Sequence, residues 1–415
     1  MLKNLILFLF TMIQILFAFF GIYYSFMSIY GLLEKTNKQK YKSYYPMKRF
    51  AIFIPAHNEE EVIGSIVENL SYLNYPKDYY DVFVIADNCT DDTKSRAFEK
   101  GANVLVRKDT ENRGKGHALK WAFNEVIFKD NIDYNAVVVF DADNLVSKNF
   151  LKEMNNKLCQ GYKVLQGYID SKNPDDSWIT ASYSIAFWAA NRLFQCSRWY
   201  LGLSCEIGGT GFCVDIKTLK EVGWEATCLV EDLEFTMNLV LNGIKVGWVH
   251  EAVVYDEKPI TLAQSWNQRR RWMQGFADVN SRYFVKLFTK GLVQKNAVLL
   301  DCALYTLQPY IILLGGLMAC TPLLNIYLFD NDMFILTVRV FPGFFKAYGI
   351  IQFILIPLSL FLDGKLSYKL FFYYPAYLLY CITWIPIAIE GIIMMKDKEW
   401  NHTTHTRTLS IHELE

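Results

Sequence analysis

Gln268-Arg269-Arg270-Arg271-Trp272 sets three cations beside a flat apolar ring. Arginine forks make charge-assisted hydrogen bonds to phosphate, and an indole face can carry the C–H surface of a carbohydrate. Together they suit a pyrophosphate next to a sugar ring. A basic interfacial helix with a tryptophan anchor is the plainer use of the same residues. Asp141-Ala142-Asp143 follows an apolar run, and paired carboxylates there can hold a hard divalent cation, Mg2+ or Mn2+, that bridges to phosphate oxygens. Asp87 could accept hydrogen bonds from a nucleobase or ribose, or simply serve its turn. Lys115, between Gly114 and Gly116 at a helix start, has phosphate-loop character without the full P-loop pattern. Gly208-Gly209-Thr210-Gly211-Phe212 lets a ligand approach the backbone closely, or bends a strand. Glu231-Asp232 opens a helix, where acids favour the dipole and one could act as general base for a hydroxyl. Pro55-Ala56-His57-Asn58-Glu59-Glu60 reads as a loop entering a helix, with Asn58 or Glu59 near the cap.

The elements that must position these residues alternate. Phe50 to Ile54 is a short apolar run stopping at Pro55, a buried strand, and a helical pattern follows from Glu60 to Leu70. Val82 to Ile85 is a second strand, ended by the turn-rich Asp87 to Asp92. A helix from Thr93 to Lys100, a strand at Val104 to Val106, a helix from Gly114 to Phe123 and a strand at Ala136 to Phe140 continue the series. A βαβα succession implies an α/β sheet with helices on both faces. In such sheets chemistry sits in the crevice where strands end, and the acidic clusters fall there.

The chain has 415 residues, 42 basic and 42 acidic, so no global charge points to nucleic acid. It is 52% hydrophobic, with 30 Phe and 26 Tyr, and the excess sits at the two ends. That pattern implies membrane segments flanking a soluble block. Leu5 to Tyr30 is long enough to cross a bilayer and too long for a signal-peptide core, which implies a retained anchor. Lys35, Lys38, Lys40, Lys42, Lys48 and Arg49 follow, placing the next domain in the cytosol. Further crossings are expected at Val298 to Leu328, Phe344 to Leu362 and Leu370 to Met395, interrupted by Pro309, Pro357, Pro375 and Pro386. Three crossings would put the tail outside, whereas Lys396, Lys398 and Arg407 argue for inside; the long Val298 to Leu328 run could also be two segments, or one segment could lie in the interface. Nine cysteines, none in a Cys-x-x-Cys, speak for a reducing setting without zinc or disulfides. His57, His250, His402, His405 and His412 lack metal-ligand spacing, and the aromatics from Trp178 to Trp199 read as packing or interfacial residues.

Asp87, Asp141-Ala142-Asp143, Glu231-Asp232 and Gln268-x-x-Arg271-Trp272 together resemble the D, DxD, (T/E)ED, QxxRW signature of membrane-bound family 2 glycosyltransferases, which include cellulose, hyaluronan, chitin and poly-N-acetylglucosamine synthases. The resemblance covers about Arg49 to Gln274. It implies a GT-A (Rossmann-like) domain. Asp87 and the loop from Pro55 through His57 to Glu59 would contact uridine, with Lys115 near the nucleotide. Asp141 and Asp143 would hold donor and metal, Asp143 as the direct ligand. Asp232 would deprotonate the acceptor hydroxyl. Gln268 and Arg271 would hold diphosphate. Trp272 would floor the acceptor site, beside Glu231, Gly209 and Thr210. The chain departs from the pattern at Asn88, where a second Asp is common, at Val230 in place of Thr, and at His57 in place of an aromatic. Trp400-x-x-Thr403-x-x-x-Arg407 is similar to gating or C-terminal segments of such synthases.

The expected organisation is a transmembrane helix over 1–34, a catalytic domain over 49–258, QxxRW and interfacial helices over 259–290, transmembrane helices over 291–396 and a cytosolic tail over 397–415. The implied activity is inverting, metal-dependent, processive transfer from a UDP-sugar, with UDP-glucose ahead of UDP-N-acetylglucosamine. The product would be a β-linked glycan exported through the helices of a plasma-membrane protein, with room for an accessory subunit. Single-sugar transfer to a glycolipid or polyprenyl phosphate is the alternative, and a non-catalytic secretion or nucleotide-sensing subunit is the rival from another class.

Overall fold

The computed structural model describes residues 2–33, 43–129, 133–225, 228–328, 344–397 and 407–414. Lys35 to Lys42, Arg339, Lys398 and Trp400 to Thr406 lie outside them. An apolar helix, α1 (Leu2–Leu33), comes first, and the Val298 to Leu328 run is two helices, Ala297–Thr306 and Gln308–Leu328. The α/β part then runs β1 (Phe50–Ala56), α2 (Ile63–Leu70), β2 (Tyr80–Asp87), α3 (Thr93–Glu99), β3 (Asn103–Arg107), α4 (Lys115–Val126), β4 (Ala136–Val139), β5 (Leu145–Val146), α5 (Phe150–Cys159) and β6 (Val164–Ser171). It continues through α6 (Trp178–Ala190), α7 (Ser197–Tyr200), β7 (Phe212–Asp215), α8 (Ile216–Val222), α9 (Glu231–Leu241) and β8 (Val246–Asp256). The apolar end comprises α10 (Leu262–Gln294), α11 (Ala297–Thr306), α12 (Gln308–Leu328), α13 (Phe344–Leu362) and α14 (Tyr368–Ile393).

Two local expectations need correction. The first strand passes through Pro55 to Ala56, pairing Pro55 with Ile85. Pro55 lies beyond Phe53, the last residue of β1 paired with β4, so its missing N–H removes no bond on that flank. Asn58 and Glu59 do not cap α2: Asn58 takes a left-handed φ of 54°, and the Glu59 carbonyl accepts from Val62 and Ile63 to close an intervening turn.

Eight strands form one mixed sheet in the order β3-β2-β1-β4-β7-β6-β8-β5. β1, β2, β3 and β4 are mutually parallel. β7 runs against both β4 and β6, and β8 runs with β6. One edge of the sheet therefore collects the C-terminal ends of β1, β2, β4, β6 and β8 together with the N-terminal end of β7. Alternation along β1 feeds two cores. Ala51 and Phe53 pack with α4 residues Ala118, Leu119, Ala122 and Phe123, whereas Phe50, Ile52 and Ile54 pack with α2 and α5. Burying each such phenylalanine contributes about 1.5–3 kcal/mol, so both faces must be covered, as the sequence pattern implies.

Buried ion pairs tie the apolar helices to this body. Arg198 donates to Asp301 of α11 at 2.7 and 3.1 Å, and Arg192 meets Asp363, in the turn before α14, at 2.6 Å. Gly31 of α1 lies so close to the Arg192 carbonyl that a Cβ would sit 2.5 Å from it. Among the described residues two helices, Phe8–Leu32 and Phe372–Ile393, are long and apolar enough to cross a membrane. A third span exists if α11 and the first part of α12, bent by 61° after Thr306, count as one. All nine cysteines are free.

Candidate functional site

Each candidate residue precedes, follows or ends a strand at the edge just described, or sits on a helix laid across it. Every one of them, from Pro55, His57 and Glu59 to Gln268, Arg271 and Trp272, lines a single cavity of about 210 Å³. Asp141 and Asp232, ninety-one residues apart in sequence, share it.

Asp87 ends β2 and is locked from β3: Arg107, its register partner, donates to Asp87 Oδ1 at 2.7 Å. Asn88, in a left-handed conformation, adds a bond at 3.0 Å. Burial pushes the Asp87 carboxyl above its usual range, with Arg107 pulling the other way. His57 Nδ1 lies 2.7 Å from the Asp87 carbonyl, and the Glu59 N–H donates to Thr93 Oγ1 at 2.8 Å. One wall of the cavity is thus a cross-braced loop pair.

Past β4, the Asp141 N–H is held by Asn144 Oδ1 at 3.1 Å and Thr210 Oγ1 at 3.2 Å. Lys115, the first residue of α4, bonds Asp141 Oδ1 and donates to the Gly209 carbonyl at 2.8 Å. The surrounding carboxylates Asp141, Glu231 and Asp232 raise the Lys115 ammonium against the opposing pull of burial. Asp143, only 3% exposed, accepts from the Glu257 N–H at 3.0 Å and from Asn144 Nδ2 at 3.3 Å.

Gly209 and Gly211 adopt φ of 82° and 63°, which glycine alone takes without strain. A Cβ on Gly209 would lie 3.1 Å from Asp232 Oδ2, so the backbone here closes on the acid. Gln166, buried beneath, holds the loop by donating to the Thr210 carbonyl and accepting from the Gly208 N–H, both at 2.9 Å. At the start of α9, burial pushes Glu231 up to about 7, with Asp232 adding to it. Burial likewise raises Asp232, while its own helix N–H bonds, Lys115 and Arg271 oppose the shift. A raised carboxylate is a stronger proton acceptor than an ordinary one.

α10 supplies the remaining wall. Gln268 Oε1 is buried with no hydrogen-bond partner among the described residues. Trp272 is braced by Tyr183, Phe187 and Trp384, with ring centroids 6.0–6.4 Å away.

Reading the sequence did not single out Arg107, Gln166, Asp256 or Glu257. The last two also line the cavity, and their signal was present: they end an apolar run, as Asp141 does. Behind the glycine loop, burial pushes Glu206 up to about 8, and Tyr305 Oη bonds it. No group of three or more His, Cys, Asp or Glu side chains among the described residues forms a metal cage. A buried Asp143 with Asp141 nearby suits a hard cation that keeps water and takes phosphate oxygens.

Residues 46–275 match the family described as glycosyltransferase-like family 2. A probable glycosyltransferase, YdaM, of Bacillus subtilis (strain 168) is 22% identical over 88% of this chain and 87% of its own length. The β-monoglucosyldiacylglycerol synthase of Synechocystis sp. is 32% identical over 55% of this chain and 48% of its own. The poly-β-1,6-N-acetyl-D-glucosamine synthase of Staphylococcus aureus (strain COL) is 25% identical over 72% of each. Among solved structures, the mannosyltransferase PcManGT from Pyrobaculum calidifontis, in complex with GDP-Man and Mn2+, superposes with a TM-score of 0.50. It is 16% identical, covering 84% of this chain and 96% of that one.

Proposed function

The chain belongs to glycosyltransferase-like family 2, a transferase of GT-A-like fold that uses a nucleotide sugar, and we propose that it moves hexose from a UDP-sugar onto a growing β-linked glycan at the plasma membrane. The observation that carries the reading is the convergence of Asp87, Asp141, Asp143, Asp232, Gln268 and Arg271 on one cavity. In this scheme Asp87 and the Pro55–Glu59 loop hold uridine, and Lys115, Gln268 and Arg271 hold diphosphate. Trp272 floors the acceptor, with Glu231, Gly209 and Thr210 beside it. Asp143, with Asp141, would hold Mg2+ or Mn2+, which when bound neutralises charge on the departing diphosphate. The reaction is a single displacement. The acceptor oxygen bonds to the anomeric carbon as the bond from that carbon to phosphate breaks, the hydroxyl proton passes to Asp232, and UDP leaves. Alignment of reactants in one cleft supplies much of the acceleration, and a fixed arginine supplies electrostatic stabilisation.

Which acceptor? The alignment with the polysaccharide synthase covers 308 residues, more than the catalytic block, and so reaches into the apolar helices. That with the lipid synthase covers 237, about the length of the catalytic block. This supports the polymer, with UDP-glucose ahead of UDP-N-acetylglucosamine; the higher identity of the lipid synthase supports a diacylglycerol-like or polyprenyl acceptor as the second reading. Purified protein in detergent, given labelled UDP-sugars and Mn2+, is expected to release UDP and make a ladder of oligomers. A single glycolipid band would establish the second reading, and no UDP release from any common donor would overturn both.

Arg107→Met is expected to weaken nucleotide binding. It leaves Asp87 buried beside Asp109 without its cation, a loss of about 1–3 kcal/mol. UDP titration should show a roughly 5–150-fold higher Kd.

A further inference from the structure

Lys172 follows β6 directly, and its N–H donates to the Asp256 carbonyl at 2.9 Å, which continues the parallel β6–β8 ladder past Ser171. The side chain is buried and reaches the turn after β4, where Nζ donates to the Asp143 carbonyl at 2.7 Å. The same ammonium donates to the Arg407 carbonyl at 3.1 Å. Both acceptors are main-chain carbonyls. A buried ammonium is costly unless such bonds replace its water, so the lysine and the two carbonyls fix one another in place. Glu257 repeats the arrangement from the end of β8. Its N–H donates to Asp143 Oδ2 at 3.0 Å, and its carboxylate accepts the Arg407 N–H at 3.3 Å. Asp143 is therefore gripped at its carbonyl by Lys172 and at its carboxylate by Glu257, and both of these residues also hold Arg407.

Arg407 is anchored in turn. Its guanidinium pairs with Asp176, four residues past Lys172. Ser410 caps a short turn, Ile411–Glu413, and Ile411 is only 1% exposed, beside Ser65, Asn69 and Tyr72 at α2. His412 meets the Tyr72 ring edge to face at 5.6 Å. Asn69 also ties α2 to β5, donating to the Val146 carbonyl at 3.1 Å and accepting its N–H at 2.6 Å. The segment 407–414 thus runs from the Asp143 side of the cavity to the helix that braces the strand after Asp143. We propose that Lys172 is a positioning residue for the cation at Asp143, and that the seated segment 407–414 completes its grip. Outer partners orient a metal-binding carboxylate and raise its affinity for the ion. Here part of that support comes from 235 positions along the chain. The inference rests on Asp143 as the cation ligand of the proposed reaction.

Mn2+ binding to the full chain in detergent with UDP, read from the EPR signal of free Mn2+, tests this without any transfer step. Lys172→Met is expected to raise the Mn2+ Kd by about 10–100-fold, the usual cost of losing an outer partner of a metal ligand. Ile411 lines no part of the cavity, yet Ile411→Asp should unseat the segment and raise the same Kd by about 10-fold. Ile411→Leu should behave as wild type. UDP affinity measured in EDTA should be unchanged in all three, which separates lost positioning from lost fold. An unchanged Mn2+ Kd in Lys172→Met or Ile411→Asp overturns the inference, as does an equal loss of UDP affinity in EDTA. If Lys172→Met does not fold, Ile411→Asp decides alone. A wild-type chain that binds UDP but no Mn2+ would overturn the reading of Asp143 as well.

Discussion

Asp232→Asn is expected to abolish glycosyl transfer while leaving UDP binding within a few-fold of wild type. The amide keeps the shape and the N-terminal position on α9 but cannot take the acceptor proton. Loss of a positioned general base costs about 10²–10⁴-fold in rate, or about 2.7–5.5 kcal/mol of barrier. The pH profile of the wild-type enzyme should carry the same signature. The base acts ionised, and burial raises both Asp232 and its neighbour Glu231, the latter to about 7. Activity should therefore fall as pH drops through a value above the ordinary carboxylate range near 4, and Asp232→Asn should lose that limb along with the activity. UDP release and UDP titration, run on the same preparation, separate chemistry from binding.

Arg271→Lys is expected to lower kcat by about 10²–10³-fold, the typical cost of removing one donor aimed at developing charge. A lysine keeps the charge but not the planar fork that grips two phosphate oxygens. The effect should fall on kcat more than on the KM for donor, because negative charge on the diphosphate is greatest as UDP departs. Arg269→Lys provides the contrast. That residue is fully buried against Tyr380 and Trp384, so its change should register in thermal stability, with catalysis affected only through loss of folded protein.

Much of this site was legible because its chemistry needs rare residue types at strand ends. Asp141 and Asp143 stand out after an all-apolar strand, and Arg271 beside Trp272 is hard to account for as core. The supports were not legible. Arg107 reads as an ordinary basic residue until the β2–β3 register places it opposite Asp87. Asp256 and Glu257 become part of the cavity only when β8 is known to run parallel to β6.

In the proposed reaction a single in-line displacement proceeds with Asp232 as base. The most direct measurement is the anomeric configuration of the first product formed from a UDP-α-sugar, read from the one-bond C1–H1 coupling by NMR. A β-linked product is what a single displacement predicts; an α-linked product would contradict it.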